Sequence, residues 1–323
     1  MCCIPDVVAP GPLSTPHRLM DKPIGYGPIV RGSNPRGEAI FLRRKIMLID
    51  GKLVKREKLL ALKEELAKLK SMPCLCVVQV GEDEASKVYV KQKQKLCEEL
   101  GYRFIHRELP ADIDEVMLIQ QIDLLNLDED VDGIIVQMPL PPHLNPVSVL
   151  NTIAPEKDVD GLTYLNSGQL FQNADGFVPC TPKGIIDLLD YYNIAIEGKQ
   201  CLVIGRSILV GKPMAHLLLD RNGTVTVAHS KTPNLKELCL QADIIVACVG
   251  KKWLVTEDMV KEGAVVVDVG INREDGKLYG DVDFDRVSQK ASYITPVPGG
   301  VGQMTVYELC ENTHKAHVKR KKL

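Results

Sequence analysis

The chain has 323 residues, 45% hydrophobic and 25% charged, the composition of a globular protein long enough for two ordinary domains. Its 40 Lys and Arg against 42 Asp and Glu leave a formal charge of −2, which argues against a dedicated nucleic-acid binder. No apolar run approaches the roughly 20 residues that a bilayer-spanning helix needs, so no membrane partner is expected.

Residues 1–46 are rich in Pro, Gly and Arg and lack periodicity. They read as an irregular extension, either an organelle transit peptide or a leader foreign to the natural protein. Patterned sequence starts at Met47, the expected initiator, with Arg43-Arg44 read as a translated ribosome-binding sequence. From Lys52 to Lys70 leucines and alanines recur at helical spacing. A strand over Leu75–Val80, a helix over Glu84–Leu100 stopped by Gly101, and a strand over Arg103–Arg107 follow. A helix over Asp114–Asn126 leads to a strand over Asp132–Gln137, which ends in Met138-Pro139-Leu140-Pro141-Pro142. Alternating strands and helices with short connections predict a parallel sheet.

A second set opens at Thr181-Pro182 with a helix to Tyr192. Strands are predicted at Cys201–Ile204, Thr224–Ala228, Asp243–Cys248, Ala264–Val269 and Ser292–Thr295, the order of a doubly wound nucleotide-binding domain. A last helix, Thr305–Val318, is expected to return to the first domain, and the basic Lys319-Arg320-Lys321-Lys322 tail reads as a solvated helix end. The chain is thus read as α/β, with two α/β domains, a cleft between them and a Rossmann-like second domain. The predicted boundaries are 47–181 plus 303–323 for the first and 182–302 for the second. The ten cysteines include no C-x-x-C pair, and the histidines lack zinc-type spacing; a reduced, intracellular, metal-free protein is expected.

The segment from Cys201 to Pro213 runs from strand to tight turn to helix, which suits a dinucleotide pyrophosphate. It is no strict G-x-G-x-x-G, since Ser207 and Val210 stand where glycines would. The strand ending at Ala228 carries no acid for a ribose 2′-hydroxyl. Arg206 and Ser230 suit a 2′-phosphate instead, which favours NADP. Tyr89 and Lys93 share a helix face, a pairing able to tune a lysine for proton transfer, though Lys91 and Lys95 make this helix generally basic. Gln137 stands at the carboxyl end of a strand, where parallel sheets bind ligands. Either Asp158 or Asp160 is placed to accept two hydrogen bonds from a planar N–C–N edge, or both serve the Asp-Gly turn. Pro296-Val297-Pro298-Gly299-Gly300-Val301-Gly302 reads as a turn that lets backbone approach a ligand, or as a hinge.

Taken together, these segments resemble the bifunctional methylenetetrahydrofolate dehydrogenase/cyclohydrolase family. The likeness runs from about Met47 to the last helix and rests on Val80–Lys93, Asp132–Pro141, Pro155–Gly161, Pro179–Pro182, Gly205–Pro213 and Thr295–Gly302. It implies oxidation of 5,10-methylenetetrahydrofolate by NADP and hydrolysis of the methenyl product to 10-formyltetrahydrofolate. Lys93, Tyr89 and Gln137 become the catalytic residues, with Lys93 serving the hydrolysis. Tyr89, Asp160, Val297, Pro298, Gly299 and Gly300 become the folate contacts, with Asp160 on the pterin edge. Gly205, Arg206, Ser207, Ser230, Gly250 and Ile271 become the NADP contacts. A cytoplasmic homodimer in one-carbon metabolism, feeding purine biosynthesis, is also implied. The chain departs from the family pattern at Gln303, where proline is usual, and at Glu84, where the family has Asp-Pro-Ala-Ser in place of Asp83-Glu84-Ala85-Ser86. Two other readings compete. One is a non-catalytic NADP- or folate-binding relative; the other is a short-chain-type dehydrogenase, which also uses Tyr-x-x-x-Lys but places it after the nucleotide loop.

Overall fold

A computed structural model describes residues 47–322; the extension before Met47, and with it the question of the initiator, lies outside the described residues. The first strand, β1 (Met47–Leu48), runs into α1 (Gly51–Leu66), whose start is fixed by Asp50 accepting from the Lys52 and Leu53 amides. Val54, Leu59, Leu62 and Leu66 form its buried stripe. The strand β2 (Cys74–Val80) is buried at every position. It lies between β3 (Arg103–Leu109) and β4 (Gly133–Val136) in a three-stranded parallel sheet. The crossovers are α2 (Glu84–Leu100) and α3 (Glu115–Leu127). Burial on both faces explains why β2 and β4 read as continuous apolar runs rather than alternating ones.

After β4 come two short helices the periodicity did not reveal, α4 (Pro146–Thr152) and α5 (Tyr164–Phe171). At seven and eight residues they are too brief to display a helical stripe. Helix α6 (Cys180–Tyr191) then leads into the larger sheet. The chain continues through β5 (Gln200–Ile204), α7 (Gly211–Asp220), β6 (Thr224–Ala228), α8 (Leu235–Gln241), β7 (Ile244–Ala247) and β8 (Val265–Asp268). A small antiparallel hairpin follows, β9 (Asn272–Glu274) with β10 (Lys277–Tyr279), then α9 (Phe284–Val287) and β11 (Tyr293–Ile294). The six strands run parallel in the order β1-β11-β8-β7-β5-β6. Met47 and Leu48 pair with Tyr293 and Ile294, so the first described residues belong to the larger sheet.

The last helix, α10 (Val301–Lys321), begins four residues earlier than expected and is buried on most sides. It packs against α1, α2, α6, β2 and β4. Near its end, buried His317 bonds Asp132 at 2.9 Å, and Asp132 also accepts from Arg320 at 3.0 Å and from the Cys74 amide at 2.9 Å. The basic tail is therefore tied down in part: Arg320 pairs with Asp132, and Lys319 pairs with Asp175 at 2.7 Å. Among the described residues no helix is long and apolar enough to cross a membrane, and the eight described cysteines are free thiols.

Candidate active site

Helix α2 starts at Asp83, whose carboxylate accepts from the Ser86 amide at 2.7 Å. That start sets the helix phase. Lys91 and Lys95 point to solvent, while Tyr89 and Lys93 are half-buried and border a cavity of about 460 Å³. The Lys93 Nζ donates to Gln137 Oε1 at 2.8 Å, and Gln137 Nε2 donates to the Met138 carbonyl at 2.8 Å, so the second bond aims the amide oxygen at the lysine. Gln137 continues β4, its amide bonding the Val78 carbonyl at 2.8 Å. The strand end thus delivers an acceptor to the lysine with little freedom to turn away.

Burial lowers the Lys93 pKa from the ordinary lysine value, with the Asp160 charge opposing that shift. Asp160 itself is raised by burial, against the pull of Lys93. The choice between the two aspartates of the turn is decided by their partners. Asp158 is buried and accepts from the Leu162 amide at 3.1 Å, the Thr163 amide at 2.8 Å and Asn166 Nδ2 at 2.8 Å. Its lone pairs hold the chain that enters α5. Asp160 borders the cavity.

The opposite wall comes from the larger sheet. Leu209 and Val210 of the loop after β5, Ile271 after β8, and the turn Pro296–Gly300 all border the same cavity. That turn is pinned from α1, whose Gly51 amide donates to the Gly299 carbonyl at 3.1 Å. Gly205, Arg206, Ser207, Ser230 and Gly250 are not among the lining residues. They lie at the carboxyl ends of β5, β6 and β7. Asp268, Thr181 and Gln303 also border the cavity and were not singled out as contacts by the motifs. Each lies in an apolar or helical pattern where a polar side chain carries no directional signal. Gln303 uses its own amide to bond the Gly300 carbonyl at 3.1 Å in the first turn of α10, a bond proline cannot make.

The residues after β5 fit a dinucleotide. Gly205 has φ +134°, and a Cβ there would sit 2.7 Å from the Cys248 carbonyl oxygen, so only glycine lets the chain turn sharply at this strand end. Ser207 Oγ accepts from the Val210 amide at 3.2 Å and the Gly211 amide at 3.4 Å, ordering the start of α7. Arg206 is exposed and, among the described residues, has no ion-pair partner. A free guanidinium beside a helix start is a ready anion site.

Residues 49–160 match the family model for the tetrahydrofolate dehydrogenase/cyclohydrolase catalytic domain, and residues 179–321 match that for its NAD(P)-binding domain. The chain belongs to the tetrahydrofolate dehydrogenase/cyclohydrolase family. It is 52% identical over 279 residues to the bifunctional protein FolD of Campylobacter curvus, covering 85% of this chain and 97% of that one. The crystal structure of the bifunctional FolD enzyme of Campylobacter jejuni superposes with a TM-score of 0.84 at 47% identity, over 85% of this chain and all of that one, 100%. The Trypanosoma brucei dehydrogenase-cyclohydrolase, solved with NADP cofactor and an inhibitor, gives 0.83 at 37% identity, over 86% and 99% of the two chains. This tetrahydrofolate dehydrogenase/cyclohydrolase is thus a bifunctional folate enzyme of two α/β domains, one of which binds NAD(P).

Proposed function

We propose that the chain oxidises 5,10-methylenetetrahydrofolate with NADP and hydrolyses the resulting methenyl cation to 10-formyltetrahydrofolate in one cavity. The observation that carries this reading is the Lys93–Gln137 bond of 2.8 Å in a cavity whose other wall is the strand-end loops of the larger sheet. Asp160 accepts from the pterin N–C–N edge, and Tyr89 orients the folate ring. Val297, Pro298, Gly299 and Gly300 close over it. The nicotinamide, when bound, accepts the hydride from the methylene carbon. The folate nitrogens stabilise the cation that forms, so the protein's share of oxidation is orientation. Hydrolysis needs water and a proton acceptor. Solvent supplies the water, and Lys93, held by Gln137 and shifted toward its neutral form, takes its proton.

Gly205, Arg206, Ser207, Ser230, Gly250 and Ile271 form the cofactor side in this reading, with Arg206 and Ser230 on the 2′-phosphate. The exposed Arg206, without an ion-pair partner among the described residues, and the NADP found in the Trypanosoma brucei relative support that assignment. We take 47–181 with 303–323 as the folate part and 182–302 as the cofactor part; the packing of α10 against α2, β2 and β4 supports the division, while the β1–β11 pairing and the packing of α10 on α6 join the two parts across it. We also infer a homodimer, cytoplasmic and serving one-carbon supply to purine biosynthesis. Free, mostly buried cysteines support a reducing compartment. The exposed outer edge of β6 supports self-association.

A paired assay tests the reading. Purified protein should form NADPH from methylenetetrahydrofolate and hydrolyse methenyltetrahydrofolate, with NADP preferred over NAD and the preference weakened by Arg206→Ala. Absence of both activities in folded protein would favour a binding relative. An unchanged ratio of specificity constants in the variant would remove Arg206 from the 2′-phosphate.

A further inference from the structure

We infer that Asp281, which touches no ligand in this reading, is a positioning residue that holds two cofactor loops in register from beneath. Asp281 is fully buried, 0% exposed, in the segment after the β9–β10 hairpin. One carboxylate oxygen accepts from the Val249 amide at 2.7 Å and the Gly250 amide at 3.0 Å. The other accepts from the Lys251 amide at 2.7 Å and from Asn272 Nδ2 at 3.0 Å. Three successive backbone N–H groups converging on one point form an anion nest, and here the anion is an internal carboxylate. The first three donors belong to the loop after β7, and Asn272 opens β9 directly after Ile271, the last residue of the loop after β8. One side chain therefore ties together the loops that carry Gly250 and Ile271.

The outer faces of these loops are open among the described residues. Val249 is 46% exposed and Ile271 48%, so neither is held by packing from above. Asp281 is itself fixed: its amide donates to Asp268 Oδ1 at 2.9 Å, and Asp268 also accepts from the Gly270 amide at 3.0 Å and the Val282 amide at 3.0 Å. A Cβ on Gly270 would lie 2.1 Å from Asp281 Oδ1, so the β8 loop can close on the carboxylate only with glycine there. Two buried acids and one glycine thus set the height and spacing of two loop tips. Charge-assisted bonds to N–H groups are stronger than neutral ones, which suits a joint that must hold when the cofactor leaves.

The inference rests on the reading that Gly250 and Ile271 border the bound cofactor, and the test separates the two. NADP+ binding is measured by calorimetry on the full chain, with cyclohydrolase activity measured without nucleotide. Asp281→Asn replaces one acceptor by an NH2 facing donors. It should raise Kd and KM for NADP+ by about 10-fold or more, the scale of one buried unsatisfied pair. Cyclohydrolase kcat should stay within about twofold, because a loss confined to one ligand marks lost binding to that ligand rather than global damage. Asn272→Ala, which leaves the carboxylate in place, should shift NADP+ binding in the same direction by about 3-fold and carries the test if the first variant does not fold. Unchanged NADP+ affinity, or equal loss of both activities, overturns the inference provided that Ile271→Ala weakens NADP+ binding. If neither Ile271→Ala nor Arg206→Ala weakens it, the cofactor reading falls and the inference falls with it.

Discussion

At the residue scale the site turns on Lys93. Taking an ammonium out of water costs free energy, so burial pushes this lysine toward its neutral form, while the Asp160 charge pulls back. The amine therefore becomes a proton acceptor at lower pH than a free lysine, whose pKa is about 10.4. Cyclohydrolase rate should rise with pH through an inflection below that value, and the inflection should vanish in Lys93→Met. The same variant should lose about 10²-fold or more in hydrolysis, the usual effect of removing a proton-transfer group, while retaining part of its dehydrogenase turnover. Equal loss of both activities in folded protein would count against the assigned role. The sequence put Lys93 and Tyr89 on one helix face, because spacing alone fixes that. Spacing left Asp158 and Asp160 equivalent and only the family resemblance chose Asp160; the physical difference is in the fold, where Asp158 spends its oxygens on the entry to α5.

At the scale of elements, α6 and α10 are joined by a half-buried ion cluster around the fully buried Glu308. Lys183 on α6 pairs with Asp187 at 3.3 Å, with Glu308 and with Glu311 at 3.6 Å, and Lys58 of α1 reaches Asp187 at 2.5 Å. Asp187, Glu308 and Glu311 approach one another within 4.8 Å, and their charge is shared among three ammoniums: Lys183 reaches all three, Lys58 pairs Asp187 and Lys315 pairs Glu311. Burial lowers the Lys183 pKa, but these carboxylates outweigh it and hold the group above its ordinary value. Its contribution to stability is therefore complete below the pKa of an unfolded lysine and fades only as pH rises through the higher folded value. Lys183→Met takes the cation from the buried Glu308, while Lys58 still pairs Asp187 and Lys315 still pairs Glu311, and should cost about 3 kcal/mol, the low end of the range for breaking a buried pair. Urea unfolding near pH 7 should show this as a lower midpoint at similar slope; a midpoint that does not move would show that the cluster adds nothing. Long buried strands and two-sided helices were legible because their pattern persists over many residues. The two-residue β1, the β9–β10 hairpin and the first turn of α10 were not, since pairing and packing rather than local preference make them.

At the scale of the whole molecule, the outermost strand β6 offers one unpaired edge beside an exposed Val227. A strand edge of this kind is a template for another chain, and a lysine on it blocks pairing. Val227→Lys should convert a dimer to a monomer in sedimentation analysis without loss of the helical and sheet signal. If the unaltered protein sediments as a monomer, the homodimer assignment is wrong.

The sequence by itself determined the α/β alternation, the two sets of elements and the family, and it nominated the residues of the candidate site. Those signals are local: apolar runs for buried strands, helical spacing for Tyr89 and Lys93, and a run of short motifs in fixed order. Tertiary structure decided what depends on distant partners. It placed Met47 and Leu48 in the larger sheet, set Gln137 against Lys93, and separated a cavity-facing Asp160 from a structural Asp158. It also brought Asp281 beneath the loops after β7 and β8, some thirty residues earlier in the chain for the first of them. No local pattern encodes such a contact, because a buried carboxylate and its donors satisfy one another only once the strands between them have paired.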